Sequence, residues 1–270
     1  MSDAKGVTGF LVINPRSGKG VKAEDLRDEA EARGIDTHVL APDDDPAELA
    51  RAAPDKPLGA AGGDGSLAAV AQVAIERNLP FVIVPFGTRN HFARDLGLDR
   101  DDPFAALAAF DGGVEKSVDV GRINDRLFLN NVSLGVYARL VHRREHHRRR
   151  GEALARLKAL SIVLRRPGAL GVTIDGRPVE ARIILVGNNH YKLDLFSIGE
   201  RERLDEGLLH LYVAAGLLPG TWEERSGRHF KVDARAGRLR AAVDGEPEEL
   251  ETPLLFESQP AALRVLVPPR

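Results

Sequence analysis

A glycine-rich segment, Gly62-Gly63-Asp64-Gly65-Ser66, offers the clearest chemistry in the sequence. It follows a predicted strand and precedes a predicted helix. Glycine lets a ligand approach the backbone without a Cβ atom in the way, and the free N–H groups at a helix N-terminus favour an anion. Asp64 is itself negative, so its presence is explained if a divalent cation bridges its carboxylate to phosphate oxygens. For this motif alone, a tight turn that binds nothing is an equally good interpretation.

Two well-known phosphate-binding motifs do not account for this chemistry. Residues 63–68 formally fit the dinucleotide pattern GxGxx(G/A), but the next predicted strand ends at Ile83-Val84-Pro85 without the acidic residue that this pattern requires. Ser17-Gly18-Lys19-Gly20 resembles part of a Walker A loop, but Gly20 stands where Ser or Thr would hold Mg²⁺. Neither motif is therefore assigned.

The elements that must position the glycine-rich segment belong to an α/β pattern. Up to about residue 115, short apolar runs alternate with amphipathic stretches, which is typical of a parallel sheet covered by helices. The predicted strands are 10–13, 37–41, 58–61 and 81–84, and the predicted helices are 21–33, 47–53, 67–77, 90–96 and 103–110. We therefore predict an α/β nucleotide-binding domain over residues 1–117.

Beyond Gly112-Gly113 the apolar residues take a period of two, which indicates strands. The predicted strands are 118–123, 126–132, 172–174, 179–186, 208–213, 230–232, 239–243 and 263–267, with one helix at 151–165. Asp175-Gly176 separates two of these runs and is a typical short-hairpin turn. We therefore predict a mostly antiparallel β-sandwich domain over residues 118–270.

Composition excludes several classes of function. The 270 residues are 43% hydrophobic and 29% charged, which is typical of a globular protein with a real core. The net charge of −2 gives no basic field to hold nucleic acid, so no nucleic-acid partner is expected. The absence of cysteine excludes disulfides, thiolate metal sites and a cysteine nucleophile. No apolar run approaches the length of a signal or spanning segment, so we expect a cytoplasmic protein with at most peripheral membrane contact.

Three segments occur in a characteristic order: Asn-Pro-Arg-Ser-Gly-Lys-Gly at 14–20, the glycine-rich segment at 62–66, and Pro-Phe-Gly-Thr-Arg-Asn-His-Phe-Ala-Arg-Asp-Leu-Gly at 85–97. This ordered set resembles the diacylglycerol kinase catalytic domain family, which includes bacterial lipid kinases and sphingosine kinases. The likeness continues at 116–121, 128–130, 187–189 and 243–246. The resemblance implies a kinase that depends on ATP and Mg²⁺ and transfers the γ-phosphoryl group to a hydroxyl of diacylglycerol or a related lipid.

The resemblance also implies roles for individual residues. The residues that it places at the nucleotide are Asn14, Lys19, Gly62, Gly63, Asp64, Gly65, Ser66, Gly87, Thr88 and Asn90. Asp64 and Asp119 match carboxylates of an Mg²⁺-linked catalytic network. Glu246 matches the base that takes a proton from the acceptor hydroxyl, a role that suits phosphoryl transfer. Without the other motifs, residues 244–246 are better interpreted as an ordinary hairpin turn with exposed acids.

Three residues depart from the family pattern. His91 stands where the family has Asp, and a neutral imidazole carries no negative charge for an Mg²⁺ shell. Glu206 stands where relatives have Asp near a second Mg²⁺ site in the β domain, and it is kept as a third metal candidate because it retains the charge. Leu40 replaces a Thr that relatives often place on the nucleotide. His91 and Leu40 leave open a nucleotide-binding protein of the same fold without kinase activity.

A second alternative is a soluble kinase related to NAD kinases, which share the glycine-rich turn. The segments at 14–20 and 85–97 argue against it. Residues 142–150 read His-Arg-Arg-Glu-His-His-Arg-Arg-Arg, and Arg143–Arg150 would suit transient contact with an anionic membrane surface, although a solvated connection fits equally well. His190, His210 and His229 are isolated in sequence and are predicted to be structural. The acceptor lipid is not determined, and a homodimer stays open.

Overall fold

The computed structural model describes residues 8–18, 20–87, 90–135, 170–194, 197–198, 200–214 and 222–269. The chain divides into two compact units. The first comprises Met1–Val120, Arg203–Asp205 and Pro260–Arg270, and the second comprises Gly121–Glu202 and Glu206–Gln259. The C-terminal residues, which the sequence pattern grouped with the second domain, belong to the first unit because they pair with one of its strands.

The first unit alternates strands and helices as predicted. Its elements are β1 (Gly9–Ile13), α1 (Ala23–Ala32), β2 (Ile35–Val39), α2 (Pro46–Ala52), β3 (Leu58–Gly62), α3 (Asp64–Glu76), β4 (Phe81–Pro85), α4 (His91–Asp95), α5 (Pro103–Ala106), a 3₁₀ turn (Leu107–Phe110) and most of β5 (Val114–Ile123). Local signals explain several boundaries. Asp45 caps α2 by accepting a hydrogen bond from the Ala47 N–H, and Gly34 adopts a positive φ just after α1.

The elements of the second unit, after the end of β5, are nearly all strands. They are β6 (Arg126–Phe128), β7 (Asn131–Gly135), β8 (Val172–Ile174), β9 (Arg177–Val179), β10 (Ile183–Asn188), β11 (Leu193–Asp194), β12 (Ser197–Ile198), β13 (Leu209–Ala214), β14 (Trp222–Gly227), β15 (His229–Ala234), β16 (Arg238–Val243), β17 (Glu246–Glu251) and β18 (Leu254–Val267). The last strand is long enough to serve both units: Leu254 to Glu257 pair with β15, and Val265 and Leu266 pair with β4.

The first unit is built on a parallel sheet in the order β2-β1-β3-β4, followed by the end of β18. One face carries α1 and α5, whose Leu26, Ala30 and Ala106 share a core with Leu11 and Val82 of the sheet. The helices α2 and α3 pack against each other. This arrangement confirms the predicted α/β domain.

The second unit is a sandwich of antiparallel strands. One sheet has the order β14-β13-β10-β7-β16-β17, and the other contains the start of β18 with β15, β8 and β9. Alternate residues of both sheets, such as Val186, Leu211, Val232 and Phe256, fill one apolar core. The predicted antiparallel β-sandwich is therefore confirmed. Among the described residues, no helix is both long and apolar enough to span a lipid bilayer.

Besides the short β9, β11 and β12, two longer strands were not predicted because their sequences are polar. Glu-Pro-Glu-Glu-Leu-Glu forms β17 and Trp-Glu-Glu-Arg-Ser-Gly forms β14, and both lie at the edges of the six-stranded sheet. An edge strand with exposed side chains needs no apolar alternation, so the pattern gives no signal. The hairpin at Asp175-Gly176 is confirmed, with positive φ at both residues. The predicted helix at 151–165 lies outside the described residues.

A stability test follows from the packing of Phe110 in the first unit. A Cβ atom at Gly59 would lie 2.5 Å from the Phe110 ring, and one at Gly9 would lie 2.3 Å from it. We expect Gly59→Ala to lower the free energy of unfolding by about 1–3 kcal/mol, because the ring must move out of a filled core. Urea unfolding measures this, and Gly59→Ala combined with Phe110→Leu should recover part of the loss. An unchanged midpoint would contradict the packing.

Candidate functional site

The strand order of the first unit creates a topological switch point at the carboxyl edge of its sheet, between β1 and β3. The chain runs from β1 to β2 on one side and then returns to β3 on the other side of β1. The loops that follow β1 and β3 therefore leave the sheet in opposite directions at its carboxyl edge. Ligands of open α/β sheets bind at this kind of switch point. The loop from Asn14 and the glycine-rich segment from Gly62 are the two loops concerned.

Side chains of the first loop hold the glycine-rich segment directly. The Asn14 N–H donates to the Ala61 carbonyl at 2.8 Å, and its side-chain Nδ2 donates to Ser66 Oγ at 2.8 Å. The Gly63 N–H donates to Ser17 Oγ at 3.3 Å. The predicted residues Asn14 and Ser66 are thus brought together. Ser17 was not predicted, although it lies within the segment at 14–20 that carried the resemblance.

Gly63 is a glycine that neither its backbone conformation nor its packing requires. Its φ of −79° and ψ of 170° are open to any residue, and among the described residues, which leave out 19, 88 and 89, a Cβ atom there would meet only Ser17 Oγ, at 4.0 Å. Gly62 differs, because its Cβ atom would lie 2.9 Å from the Ser66 Cβ atom. The missing side chain of Gly63 therefore leaves room beside the start of α3, where a ligand can approach the backbone.

The N-terminus of α3 faces this room, and no described side chain caps it. Gly63 is the N-cap residue and has no side chain to accept from the first N–H groups of the helix. An anion near these donors is favoured by the hydrogen bonds and by the helix dipole. Asp64 and Gly65 belong to the first turn of α3, which begins three residues before the predicted helix at 67–77. The segment is the beginning of the helix, not a separate turn.

A third loop packs its backbone on the glycine-rich segment. A Cβ atom at Gly87 would lie 2.8 Å from Gly63 Cα and 3.1 Å from the Gly62 carbonyl oxygen, so this position requires glycine. Asn90, buried and with a φ of 44°, fixes the loop. Its Oδ1 accepts from the Gly87 N–H at 2.8 Å, and its Nδ2 donates to the carbonyl oxygens of Gly87 and Arg100. The structure thus gives Asn90 a positioning role, and its direct contact with a nucleotide stays a prediction.

The loop after β2 lies beside the first loop, where the Arg16 guanidinium donates to the Pro42 carbonyl. His38 Nε2 lies 2.7 Å from Asp44 Oδ2, and this hydrogen bond, with a second from the Ala41 N–H, lowers the pKa of Asp44. Leu40 is half-buried and offers no polar atom from its side chain. Any polar contact from this loop to a ligand must therefore come from other residues.

Asp119 on β5 is almost fully buried in the first unit. Its Oδ1 accepts from the Ala261 N–H at 2.8 Å, and its own N–H donates to the Leu204 carbonyl at 2.7 Å. Ala261 adopts a φ of 51°, a conformation that a non-glycine residue rarely takes. Asp119 therefore secures the segments that return to the first unit, and its predicted metal role stays a prediction.

In the second unit, Asp244 and Gly245 form the tight turn between β16 and β17, with φ values of 48° and 87°. The Asp244 carboxylate does more than close this turn. It accepts hydrogen bonds from the N–H groups of Leu129, Asn130 and Asn131, at 2.8, 2.8 and 3.1 Å. The turn is a hairpin, as the sequence alone favoured, but its aspartate is anchored and not simply exposed.

Further polar side chains donate hydrogen bonds to the same loop between β6 and β7. Arg201 is buried and donates to the Leu129 carbonyl at 2.8 Å and to Asn130 Oδ1 at 2.7 Å. Asn188 Nδ2 donates to the Leu129 carbonyl at 3.1 Å. The role of Arg201 was not predicted, because it comes from a polar stretch with no local pattern. Together with Asp244, these side chains fix the backbone next to the turn that carries Glu246.

Glu206 lies in a cluster that the sequence did not indicate. Its Oε2 accepts from the His190 N–H at 2.9 Å and lies 3.1 Å from His210 Nε2, while His210 Nδ1 lies 2.8 Å from Glu224 Oε1. The His190 and His210 rings meet edge to face, 5.2 Å apart, so these two histidines are not isolated in space. The predicted metal role of Glu206 stays a prediction.

The donor set of the first unit suits Mg²⁺ bound through a nucleotide. Within the described ranges, no three His, Asp or Glu side chains converge closely enough to enclose a metal ion. Mg²⁺ is commonly held by one or two carboxylates together with substrate phosphates and water. The nearly buried carboxylate of Asp64, on the first turn of α3, supplies such an oxygen ligand next to the room left by Gly63. Lys19, Thr88 and Arg143–Arg150, which were also predicted to contribute, lie outside the described residues.

Comparison with known proteins identifies the class. The family model of the diacylglycerol kinase catalytic domain matches residues 8–123, which contain the loops after β1, β3 and β4. A protein named as a YegS-like lipid kinase from Pseudomonas aeruginosa is 30% identical over 245 residues, which cover 82% of this chain and 80% of that protein. The chain belongs to the diacylglycerol kinase catalytic domain family.

Other relatives agree with this assignment. A protein named diacylglycerol kinase from Bacillus subtilis is 30% identical over 131 residues, but the match covers only 47% of this chain and 43% of that protein. A crystal structure of a proposed diacylglycerol kinase from Bacillus anthracis superposes with a TM-score of 0.71 over 97% of both chains, at 21% identity. The match to the Bacillus anthracis structure shows that both units share its fold.

The open space at Gly63 can be tested directly. We expect Gly63→Ala to fold with a thermal midpoint close to that of the wild type, because in the part of the chain that the structure describes the new methyl group meets only Ser17 Oγ. Affinity for ATP should fall at least about tenfold, since the methyl group occupies the approach to the helix N-terminus. Calorimetric titration with ATP and a melting curve measure the two effects. Gly87→Ala is the contrasting variant and should lose stability itself. Unchanged ATP affinity in Gly63→Ala would contradict this description of the site.

Proposed function

We propose that this protein is a lipid kinase that depends on ATP and Mg²⁺ and transfers the γ-phosphoryl group to a hydroxyl of diacylglycerol or a related lipid. The observation that carries the proposal is Gly63, a glycine that its described neighbours do not require, placed before a helix N-terminus that no described side chain caps. Family membership and the names of the relatives support the same activity.

In this proposal the first unit binds the phosphates. The N–H groups at the start of α3 would hold phosphate oxygens, and Asn14 and Ser17 would keep the segment in place. Asp64 would hold Mg²⁺, which neutralises charge on the phosphates when it is bound. Positioning and neutralisation supply most of the catalysis in phosphoryl transfer, so few residues need to take part in bond making.

The second unit supplies the base. Glu246 is the first residue of β17, and its side chain is 58% exposed, so the carboxylate is open to an acceptor. It would take the proton from the lipid hydroxyl as the hydroxyl oxygen forms its bond to the γ-phosphorus. The bond from that phosphorus to the bridging oxygen breaks, and ADP leaves with the electron pair. A carboxylate is a suitable proton acceptor for this step.

The decisive experiment incubates the wild type with γ-labelled ATP, Mg²⁺ and a total lipid extract, and then identifies the labelled lipid. Glu246→Gln should bind Mg-ATP with little change, because this residue is assigned to the acceptor and not to the metal. Its transfer rate should fall by roughly 10²–10⁴, the usual effect of a lost general base. Asp64→Asn is the paired variant and should weaken Mg²⁺-dependent nucleotide binding as well. If Glu246→Gln transfers the phosphoryl group at the wild-type rate, Glu246 is not the base.

A second candidate, a nucleotide-binding protein without transfer, is favoured by one observation. His91 begins α4 where the family has a carboxylate. If this change disables a kinase, His91→Asp should restore a charge for the Mg²⁺ network and raise lipid labelling. We expect no gain, because the wild type should already be active and the turn with Glu246 is retained. A protein that binds Mg-ATP but labels no lipid, with His91→Asp equally inactive, would support the binding protein.

A further inference from the structure

Arg126, the first residue of β6, places its guanidinium between two glutamates of β17. Its Nη1 lies 2.6 Å from both carboxylate oxygens of Glu248, and its Nη2 lies 3.6 Å from Oε2 of Glu246. Glu246 and Glu248 are two residues apart on one strand, so their side chains project from the same face. One cation therefore serves two neighbouring carboxylates.

The two contacts differ in strength. Glu248 is half-buried and makes short, charge-assisted hydrogen bonds, which fix the position of the guanidinium. Glu246 is more exposed, at 58% of its side chain, and its longer contact leaves the carboxylate oxygens open. Glu248 thus acts as an anchor for Arg126, and Glu246 keeps the freedom to meet a substrate hydroxyl.

The same two chain segments are joined a second time by Asp244. Its carboxylate accepts hydrogen bonds from the N–H groups of the loop that follows β6 and of the first residue of β7, and Glu246 follows Asp244 by two residues. Asp244 therefore fixes the backbone that carries Glu246, and Arg126 acts on the side chain. Without the guanidinium, two like charges on one strand face would repel each other and turn the Glu246 carboxylate away.

We propose that Arg126 is a positioning residue for the proton-accepting carboxylate of Glu246, with Glu248 as its anchor. This inference rests on the role given to Glu246 in the proposed function. Arg126 itself touches no reacting atom in this proposal. Its contribution should therefore depend entirely on the presence of Glu246, and that dependence can be measured.

The test is a double-mutant cycle on lipid phosphorylation. We expect Arg126→Gln to lower kcat about 3- to 10-fold, the scale of one exposed ion pair in a positioning role. KM for ATP and the thermal midpoint should not change. Arg126→Lys should recover part of kcat, because it restores the charge without the planar fork. Arg126→Gln combined with Glu246→Gln should be no slower than Glu246→Gln alone.

Arg238→Gln is the matched control. Arg238 pairs with Glu251 at 2.9 Å on the same hairpin of β16 and β17, so its loss removes a similar exposed ion pair without touching Glu246. It should leave kcat unchanged. An equal loss in Arg238→Gln would overturn the proposal, because the effect would then belong to the hairpin in general.

Further outcomes separate this inference from the proposed function. If Glu246→Gln is slow but Arg126→Gln transfers at the wild-type rate, only the positioning role is overturned. The same holds if the double variant is slower than Glu246→Gln by the full Arg126→Gln factor, because Arg126 then acts independently. If Glu246→Gln itself transfers like the wild type, both the assigned base and the positioning role are overturned.

Discussion

The close approach of two glycine backbones is the constraint on which the first unit's site depends. Gly87, in the loop after β4, lies against Gly62 and Gly63 with no room for a Cβ atom of its own. Asn90 holds Gly87 in this position from both ends of its amide. Because these loops are fixed, the start of α3 keeps its N–H groups directed at one place, and a ligand does not have to order them on binding.

In the second unit, side chains fix the position of the loop between β6 and β7. Leu129 and Asn130 lie in the loop between β6 and β7, outside the strands, so Asp244, Asn188 and Arg201 supply partners for their backbone groups. Buried backbone groups must be satisfied in this way, or the loop would lose several kcal/mol of free energy. The result is a rigid backbone beneath the hairpin turn before Glu246.

Much of the fold could be predicted from the sequence because its signals are local. Apolar runs such as Phe81–Val84, helix stops such as Gly34 and the Asp175-Gly176 turn each act within a few residues. The glycine-rich segment could also be found, since glycines and one aspartate before a predicted helix indicate a phosphate and metal site. The clustering of His190 with His210, and the placing of Arg126 beside Glu248, could not be predicted. These contacts join segments far apart in the chain, and only the strand order brings them together.

The acidic strand β17 has a consequence for how this protein behaves among its own copies. It lies at the edge of its sheet, and four of its six residues are glutamate. An open edge with unpaired N–H and C=O groups is a template for strands of other molecules, and aggregation begins at such edges. If two copies of β17 paired antiparallel with Glu246 opposite Glu251, glutamate would face glutamate at four of the six positions in each strand. The strand that exposes Glu246 is therefore also protected against intermolecular sheet extension by its own electrostatic repulsion.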